Sequence, residues 1–295
     1  MLLTVREHIA RGTRRLQRAP LHFGHGTDNA LDDAAALVWH AMRLPQPVRA
    51  EHYARRVTAR AAAVIDILLQ RRIDERLPAV YLTGKTWFAG MPFKIDARAL
   101  VPRSPLAELI EQRFAPWIDA ARVHNVLDVG TGSGCIALAV ARYLPHARVD
   151  AVDISAAALA LARANCRRHR LTSRVRLIES DYFAAIRRCR YDIIVSNPPY
   201  VGAREMRSLP AEYWHEPRMA LAAGRDGLDA VHVLLNDAAR HLRVGGVLIV
   251  EVGNTERAVR RAYPRMPFTW LEFERGGGGV FLLTKEQLDA TEDVR

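Results

Sequence analysis

From residue 125 onward the chain predicts an α/β fold: a doubly wound, mostly parallel seven-stranded sheet preceded by a smaller helical N-terminal part. Three observations lead there. Short β-branched runs alternate with helical patterns, a glycine-rich turn joins the first run to the first helix, and successive runs end on an acid or an amide. Open sheets of this kind bind ligands at the carboxyl ends of their strands, so those terminal residues are the candidate site residues.

Residues 4–18 have a helical pattern, with Val5, Ile9 and Leu16 apolar and Arg11, Arg14, Arg15 and Arg18 basic. A glycine-bearing loop, Leu21 to Asn29, follows, and Asp28 or Asn29 can cap a helix from Ala30 to Met42. Pro45 and Pro47 interrupt the chain before helix resumes over Arg49–Arg72. His22 and His25 have no further Cys or His cluster to complete a metal site, so contact with a partner or the next helix is expected of them. Residues 80–103 mix aromatics with Gly and Pro and read as a β-hairpin. Its aromatics either pack an interface or line a substrate entrance. A helix from Leu106 to Phe114 leads into the sheet, so the expected division is 1–80, 81–105 and 106–295.

The first strand, Asn125–Val129, runs into Gly130-Thr131-Gly132-Ser133-Gly134 and a helix over Ile136–Leu144. Glycines there permit positive φ and let the backbone pass close beneath a ligand. The Gly-x-Gly-x-Gly spacing differs from that of dinucleotide sites, and no Lys follows to make a P-loop. The second strand, Arg148–Asp153, ends in an acid that suits a ribose diol, and Ser155 can cap the next helix. The third, Val175–Glu179, is followed by Asp181, a possible acceptor for an adenine amino group. The fourth, Tyr191–Ser196, stops at Asn197-Pro198-Pro199-Tyr200. A long connection then leads to helix 228–241, the turn Arg243–Val247, strand 244–252, helix 254–262 and strands 268–274 and 279–284. A connection of that length in a compact domain usually serves function or is disordered.

Asn197 to Tyr200 is the most informative stretch. Two prolines have no N–H and a fixed φ, so the backbone is stiff and its carbonyls are free to accept from something else. The Asn197 side chain adds a further carbonyl acceptor and Tyr200 a flat face. Such a site suits a planar NH2 group whose two hydrogens must be held while its nitrogen attacks.

With these strand ends in order, the chain resembles the class I S-adenosylmethionine-dependent methyltransferases, and Asn-Pro-Pro-Tyr resembles their amino-methylating branch. That branch includes adenine N(6) and protein glutamine N(5) enzymes. The resemblance implies S-adenosylmethionine as cofactor, contacted by Asp128, Gly130, Thr131, Gly132 and Gly134, by Asp153 and Ile154, and by Asp181 and Tyr182. Asn197 would face both the cofactor and the target nitrogen, with Pro198, Pro199 and Tyr200 completing the catalytic motif.

Within the glutamine methyltransferases, several segments are similar to the ribosomal-protein group: Phe23–Asn29, Val101–Pro105, Glu251–Asn254, Phe268–Phe273 and Val280–Leu288. The release-factor group tends to carry Pro-Arg-Pro-Asp-Thr-Glu where this chain has Pro102-Arg103-Ser104-Pro105-Leu106-Ala107. The likeness implies methyl transfer to a glutamine of large-subunit ribosomal protein three, with residues 1–80 recognising the substrate. Release-factor methylation is the alternative, followed by adenine N(6) methylation, which would need the base flipped into the same pocket. A non-enzymatic RNA-binding assembly factor is the third reading, and the intact glycines, acids and Asn-Pro-Pro-Tyr weigh against it.

Composition limits the rest. The 295 residues are 49% hydrophobic and 25% charged, as in soluble globular proteins, and no run approaches the length of a membrane span. The first residues lack the basic flank and apolar core of a secretory signal. Cys135, Cys166 and Cys189 are isolated and lack metal-ligand spacing, which suits a reducing, cytoplasmic setting without a metal. Net charge is +11, and residues 1–100 hold 16 basic and 9 acidic side chains against 27 and 23 in the remainder. That surplus fits attraction to RNA in a ribosomal precursor, although a solvated basic face is the commoner meaning of such a run.

Overall fold

A computed structural model describes residues 2–186 and 189–292, so the extreme ends of the expected divisions lie outside the described residues. Helices α1 (Val5–Gln17), α2 (Ala30–Ala41), α3 (Ala59–Asp74) and α4 (Ala79–Thr83) come first. Thr4 and Glu7 start α1 with a capping box: the Thr4 hydroxyl accepts from the Glu7 N–H, and the Glu7 carboxylate accepts from the Thr4 N–H at 2.7 Å. Val5, Ile9 and Leu16 are buried against Leu37 and Val38 of α2 and Ile65 and Leu69 of α3, in a core of their own. Asn29 caps α2 through its side chain.

The expected continuous helix Arg49–Arg72 is two pieces. A 3-10 turn covers Ala50–Ala54, and α3 begins only after Thr58 caps it. Between them the chain is extended: the Val57 N–H donates to the Leu3 carbonyl at 2.9 Å, and Arg56 bridges Thr4. Pairing with the chain's own start overrides helix formation at these residues.

The hairpin strands β1 (Lys85–Phe88) and β2 (Met91–Lys94) are antiparallel. Phe88, Met91 and Phe93 are buried in the core shared with α5 (Leu106–Glu111) and α6 (Cys135–Tyr143), while Trp87 stays 49% exposed. Helix α5 ends at Glu111 rather than Phe114, because Arg113 and Phe114 take positive φ.

The main sheet contains β3 (Asn125–Val129), β4 (Arg148–Asp153), β5 (Val175–Glu179), β6 (Tyr191–Ser196), β7 (Leu242–Glu251), β8 (Thr269–Leu271) and β9 (Val280–Thr284), in the order β5-β4-β3-β6-β7-β9-β8. Its first five members are parallel, and β9 runs antiparallel to both β7 and β8. All six residues of β6 are buried, with Ile193–Val195 apolar and Asp192 accepting from the His124 and Asn125 N–H groups at 2.8 Å each. The faces are covered by α6 and by α7 (Ala156–Arg168), and by α9 (Asp229–His241), α10 (Glu256–Ala262) and α11 (Lys285–Glu292). The short α8 (Ala203–Met206) lies in the connection after β6.

Strand β7 differs from its expected limits. It starts at Leu242, so Gly245 and Gly246 lie inside the strand rather than in a turn before it, and the β6–β7 register shifts between Tyr191 and Ile193. A Cβ on Gly246 would meet the Arg243 carbonyl at 2.9 Å, so the strand bends close over itself there.

Candidate active site

The chain passes from β3 outward through β4 and β5 on one side, then returns to β6 and β7 on the other. Strand order therefore reverses between β3 and β6, and the crevice forms at the carboxyl ends of these strands. Val129 pairs with Ser196 and with Val152, which brings the loops after β3, β6 and β4 side by side.

A cavity of about 280 Å³ opens there. Gly130, Gly132, Asp153, Ile154, Asp181, Tyr182, Asn197, Pro198 and Pro199 line it, so the four strand ends picked out from the sequence converge on one space. The loop glycines 130, 132 and 134 all hold positive φ, and the Gly130 and Thr131 N–H groups donate to the Val152 carbonyl at 2.9 Å. Asp153 steadies the loop, accepting from the Gly132 N–H and the Ser155 N–H at 2.8 Å each. Burial raises its carboxyl above the usual range, opposed by those two backbone donors. Ile154, 54% exposed, and Tyr182, which holds the unusual φ of 43°, are both in the lining.

At the end of β6 the Asn197 Oδ1 is buried without a hydrogen-bond partner among the described residues. Buried carbonyl oxygens are rarely left so, and Asn197 is itself a residue of the cavity lining, where a ligand's donor can complete it.

Asp128, Thr131, Gly134 and Tyr200 are not in the lining. Asp128 is fully buried beneath the loop, where its Oδ2 accepts from the Thr131 hydroxyl at 2.6 Å and the Ala137 N–H at 3.1 Å. Burial pushes its carboxyl up to about 7. Gly134 allows α7 to approach, since a Cβ there would lie 3.1 Å from that of Ala162. The Tyr200 ring packs on Gly253, where a Cβ would come within 2.9 Å, and its hydroxyl donates to Glu251 Oε1 at 3.5 Å. The flat face expected over the pocket is thus turned toward the end of β7.

Three contributions had no counterpart in the sequence reading. Arg98, Ala99 and Leu100, after the hairpin, form one wall, and Pro217, Met219, Ala220, Ala222 and Ala223, in the long connection, form another. Glu251 is a buried acid whose carboxyl burial pushes up to about 7 and which accepts a short hydrogen bond from Ser104. The third is a set of buried ion pairs between the connection and the N-terminal region. Glu212 receives Arg76 at 2.9 Å, Arg72 at 3.4 Å and the His22 N–H at 2.9 Å. Glu216 receives both Arg103 amino groups, at 2.8 and 2.7 Å, and the Val101 N–H at 3.0 Å. His25 is buried against Tyr213, ring centroids 4.4 Å apart, and burial lowers its imidazole to about 3, so it is neutral. A buried charge costs stability unless it is paired, and isolated acids in a loop carry no local sign of their partners.

Comparison with known proteins follows the same lines. The family model for the methyltransferase small domain matches residues 111–216. A ribosomal protein uL3 glutamine methyltransferase of Xanthomonas campestris is 48% identical over 98% of this chain and 94% of its own length. Proteins of that name from Xylella fastidiosa (strain Temecula1) and Neisseria meningitidis serogroup A are 47% and 44% identical, over 99% and 97% of this chain and 93% and 95% of theirs. Among solved structures, the hMettl16 catalytic domain in complex with a MAT2A 3'UTR hairpin superposes with a TM-score of 0.51 over 85% of this chain and 91% of that one. Sequence identity there is 14%, so the likeness is one of fold.

Proposed function

The chain belongs to the ribosomal protein uL3 glutamine methyltransferases, and on that premise we propose that it methylates the side-chain amide nitrogen of a glutamine in ribosomal protein uL3, using S-adenosylmethionine. The observation that carries this reading is the unpartnered Asn197 Oδ1 at the cavity wall, beside Pro198 and Pro199, which have no N–H to compete for a carbonyl.

The lining suits the cofactor. Gly130 and Gly132 present bare backbone, Asp153 offers a carboxylate to ribose hydroxyls, and Asp181 offers one to the adenine amino group. Ile154 and Tyr182 give apolar faces for the base. When bound, the cofactor supplies an electrophilic methyl on a sulfonium.

The protein's own part is to hold the amide. A glutamine amide nitrogen is a weak nucleophile because its lone pair is delocalised into the carbonyl. In this reading, Asn197 Oδ1 and the Pro198 carbonyl accept its two hydrogens and turn the nitrogen lone pair toward the sulfonium methyl. As positive charge grows on the nitrogen, the same oxygens stabilise it, each worth roughly 2–4 kcal/mol in a preorganised site. No ionised base is required, since an N-alkylated amide cation is strongly acidic. Glu251 and Thr255 steady the motif from behind; the Thr255 hydroxyl donates to the Tyr200 carbonyl at 2.6 Å.

The substrate is read as RNA-bound in a ribosomal precursor. Arg11 and Arg14 of α1, and Arg18 just after it, are exposed, whereas Arg15 is engaged by Asp66 at 2.7 Å and Gln70 at 3.0 Å. A basic face gains more from RNA than from an isolated basic protein. Free thiols at Cys135, Cys166 and Cys189 fit a cytoplasmic location. The test is incubation with methyl-labelled cofactor and ribosomal proteins lacking the modification. Label on a glutamine of uL3 is expected; label only on another protein, or on RNA, would overturn the assignment.

A further inference from the structure

The long connection after the Asn197–Tyr200 motif does more than wall the cavity. Met206, Leu209, Tyr213, Trp214, Leu221 and Ala222 line a second, apolar groove of about 520 Å³. Trp214 is 74% exposed, and the neighbouring Met219, in the cavity wall, is 53% exposed. A tryptophan in the open beside an apolar groove marks an interaction surface.

This tryptophan is held outward. Two residues to either side of it, the fully buried carboxylates of Glu212 and Glu216 are fixed by Arg72, Arg76 and Arg103. Tyr213 is gripped between the His25 ring and the Arg103 guanidinium, which lies 5.2 Å over its face. The backbone on either side of the indole is thus anchored by buried ion pairs, which fixes the wall of the groove that Trp214 lines.

Groove and cavity share one piece of backbone. Ala222 lines both. Val201, next to Tyr200, is tied to this piece on both sides, its N–H donating to the Leu221 carbonyl at 2.8 Å and its carbonyl accepting from the Ala223 N–H at 3.0 Å. Arg207 and Arg218, also in the lining, have no ion-pair partner among the described residues and can donate to the carbonyls of an extended chain.

We propose that this groove docks the substrate polypeptide beside its target glutamine, with Trp214 covering an apolar side chain a few residues away. The inference rests on the protein-glutamine reading above. A glutamine side chain inserted into the cavity leaves its own backbone at the mouth, and each extended residue advances it by about 3.3–3.6 Å, so a residue close in sequence reaches the shared wall.

The experiment compares Trp214→Ala and Trp214→Phe with the wild-type protein, using unmodified uL3 as substrate. The indole is exposed, so neither change should disturb folding. For Trp214→Ala, KM for uL3 should rise by at least about tenfold, as for loss of an aromatic anchor. Its kcat and cofactor Kd should stay within about twofold of wild type, and Trp214→Phe should recover most of the KM. Active wild type together with an unchanged KM in Trp214→Ala overturns the docking inference alone. A wild-type dimer that Trp214→Ala dissociates also overturns it, since a second copy would then cover the groove. Failure of the wild type to label uL3 would remove the parent reading and this inference with it.

Discussion

Two neighbouring strand ends, those of β3 and β6, each carry a buried side-chain oxygen without a hydrogen-bond partner among the described residues: Asp128 Oδ1, inside β3, and Asn197 Oδ1, just past β6. Their strands are paired side by side, yet the two oxygens are not equivalent. Asp128 lies under the glycine loop, out of the cavity lining, and its other oxygen takes two donors that hold the loop to α6. Asn197 is in the lining, on a backbone stiffened by two prolines. An unpartnered polar atom becomes a binding feature only where a ligand can reach it. Where none can, burial shows instead in the group's titration, as it does for Asp128.

The largest expected effect separates the two positions by their chemistry. Asn197→Ala should lower kcat by about 100-fold or more with cofactor affinity nearly unchanged, since it removes an acceptor that acts mainly in the transition state. Single-turnover rates and calorimetry on the same preparation check both halves, and near-normal turnover would end the assigned role.

Asp128 should speak through stability instead. Its carboxyl, at about 7 in the folded protein, keeps its proton where the unfolded chain has lost it, so the folded state binds more protons between about pH 4 and 7. Stability from this group is therefore lost as pH rises through that window. Asp128→Asn, which mimics the protonated acid, should gain on the wild type by roughly 2–4 kcal/mol from pH 4 to 7. Urea unfolding at several pH values measures it; a constant difference would show that Asp128 does not titrate there.

Asp153 lies between the two cases, bonded to the glycine loop after β3 yet part of the cavity lining. Asp153→Ala should weaken cofactor binding by roughly 1.5–3 kcal/mol, the loss of a hydrogen bond to a charged group. Unaltered affinity would leave it as a loop brace like Asp128. The smallest effect is expected far from the sheet. Arg14→Glu should leave activity on isolated uL3 within about twofold while flattening the salt dependence on precursor particles by roughly two charges' worth. Identical salt slopes would reduce the basic face of α1 to ordinary surface.

Much of this architecture was legible in the sequence. The limits of β4, β5 and β6 follow their β-branched runs residue for residue, and the order of the strand ends is enough to bring Gly130, Asp153, Asp181 and Asn197 to one crevice. These signals are local: a period of two, a positive φ that only glycine takes easily, a proline that cannot donate. They survive in a window of ten residues.

What only the tertiary structure decided is everything that depends on distant partners. Arg49–Arg72 reads as helix, yet Val57 pairs with Leu3 instead. Tyr200 reads as a lid, yet Gly253 leaves room for its ring and Glu251 takes its hydroxyl. Glu212 and Glu216 carry no role in the sequence beyond lying in a long connection, yet they are buried on arginines more than a hundred positions away and anchor the segment that walls the groove. A buried ion pair is stabilised by the geometry of two separated segments, and neither segment alone carries a trace of it.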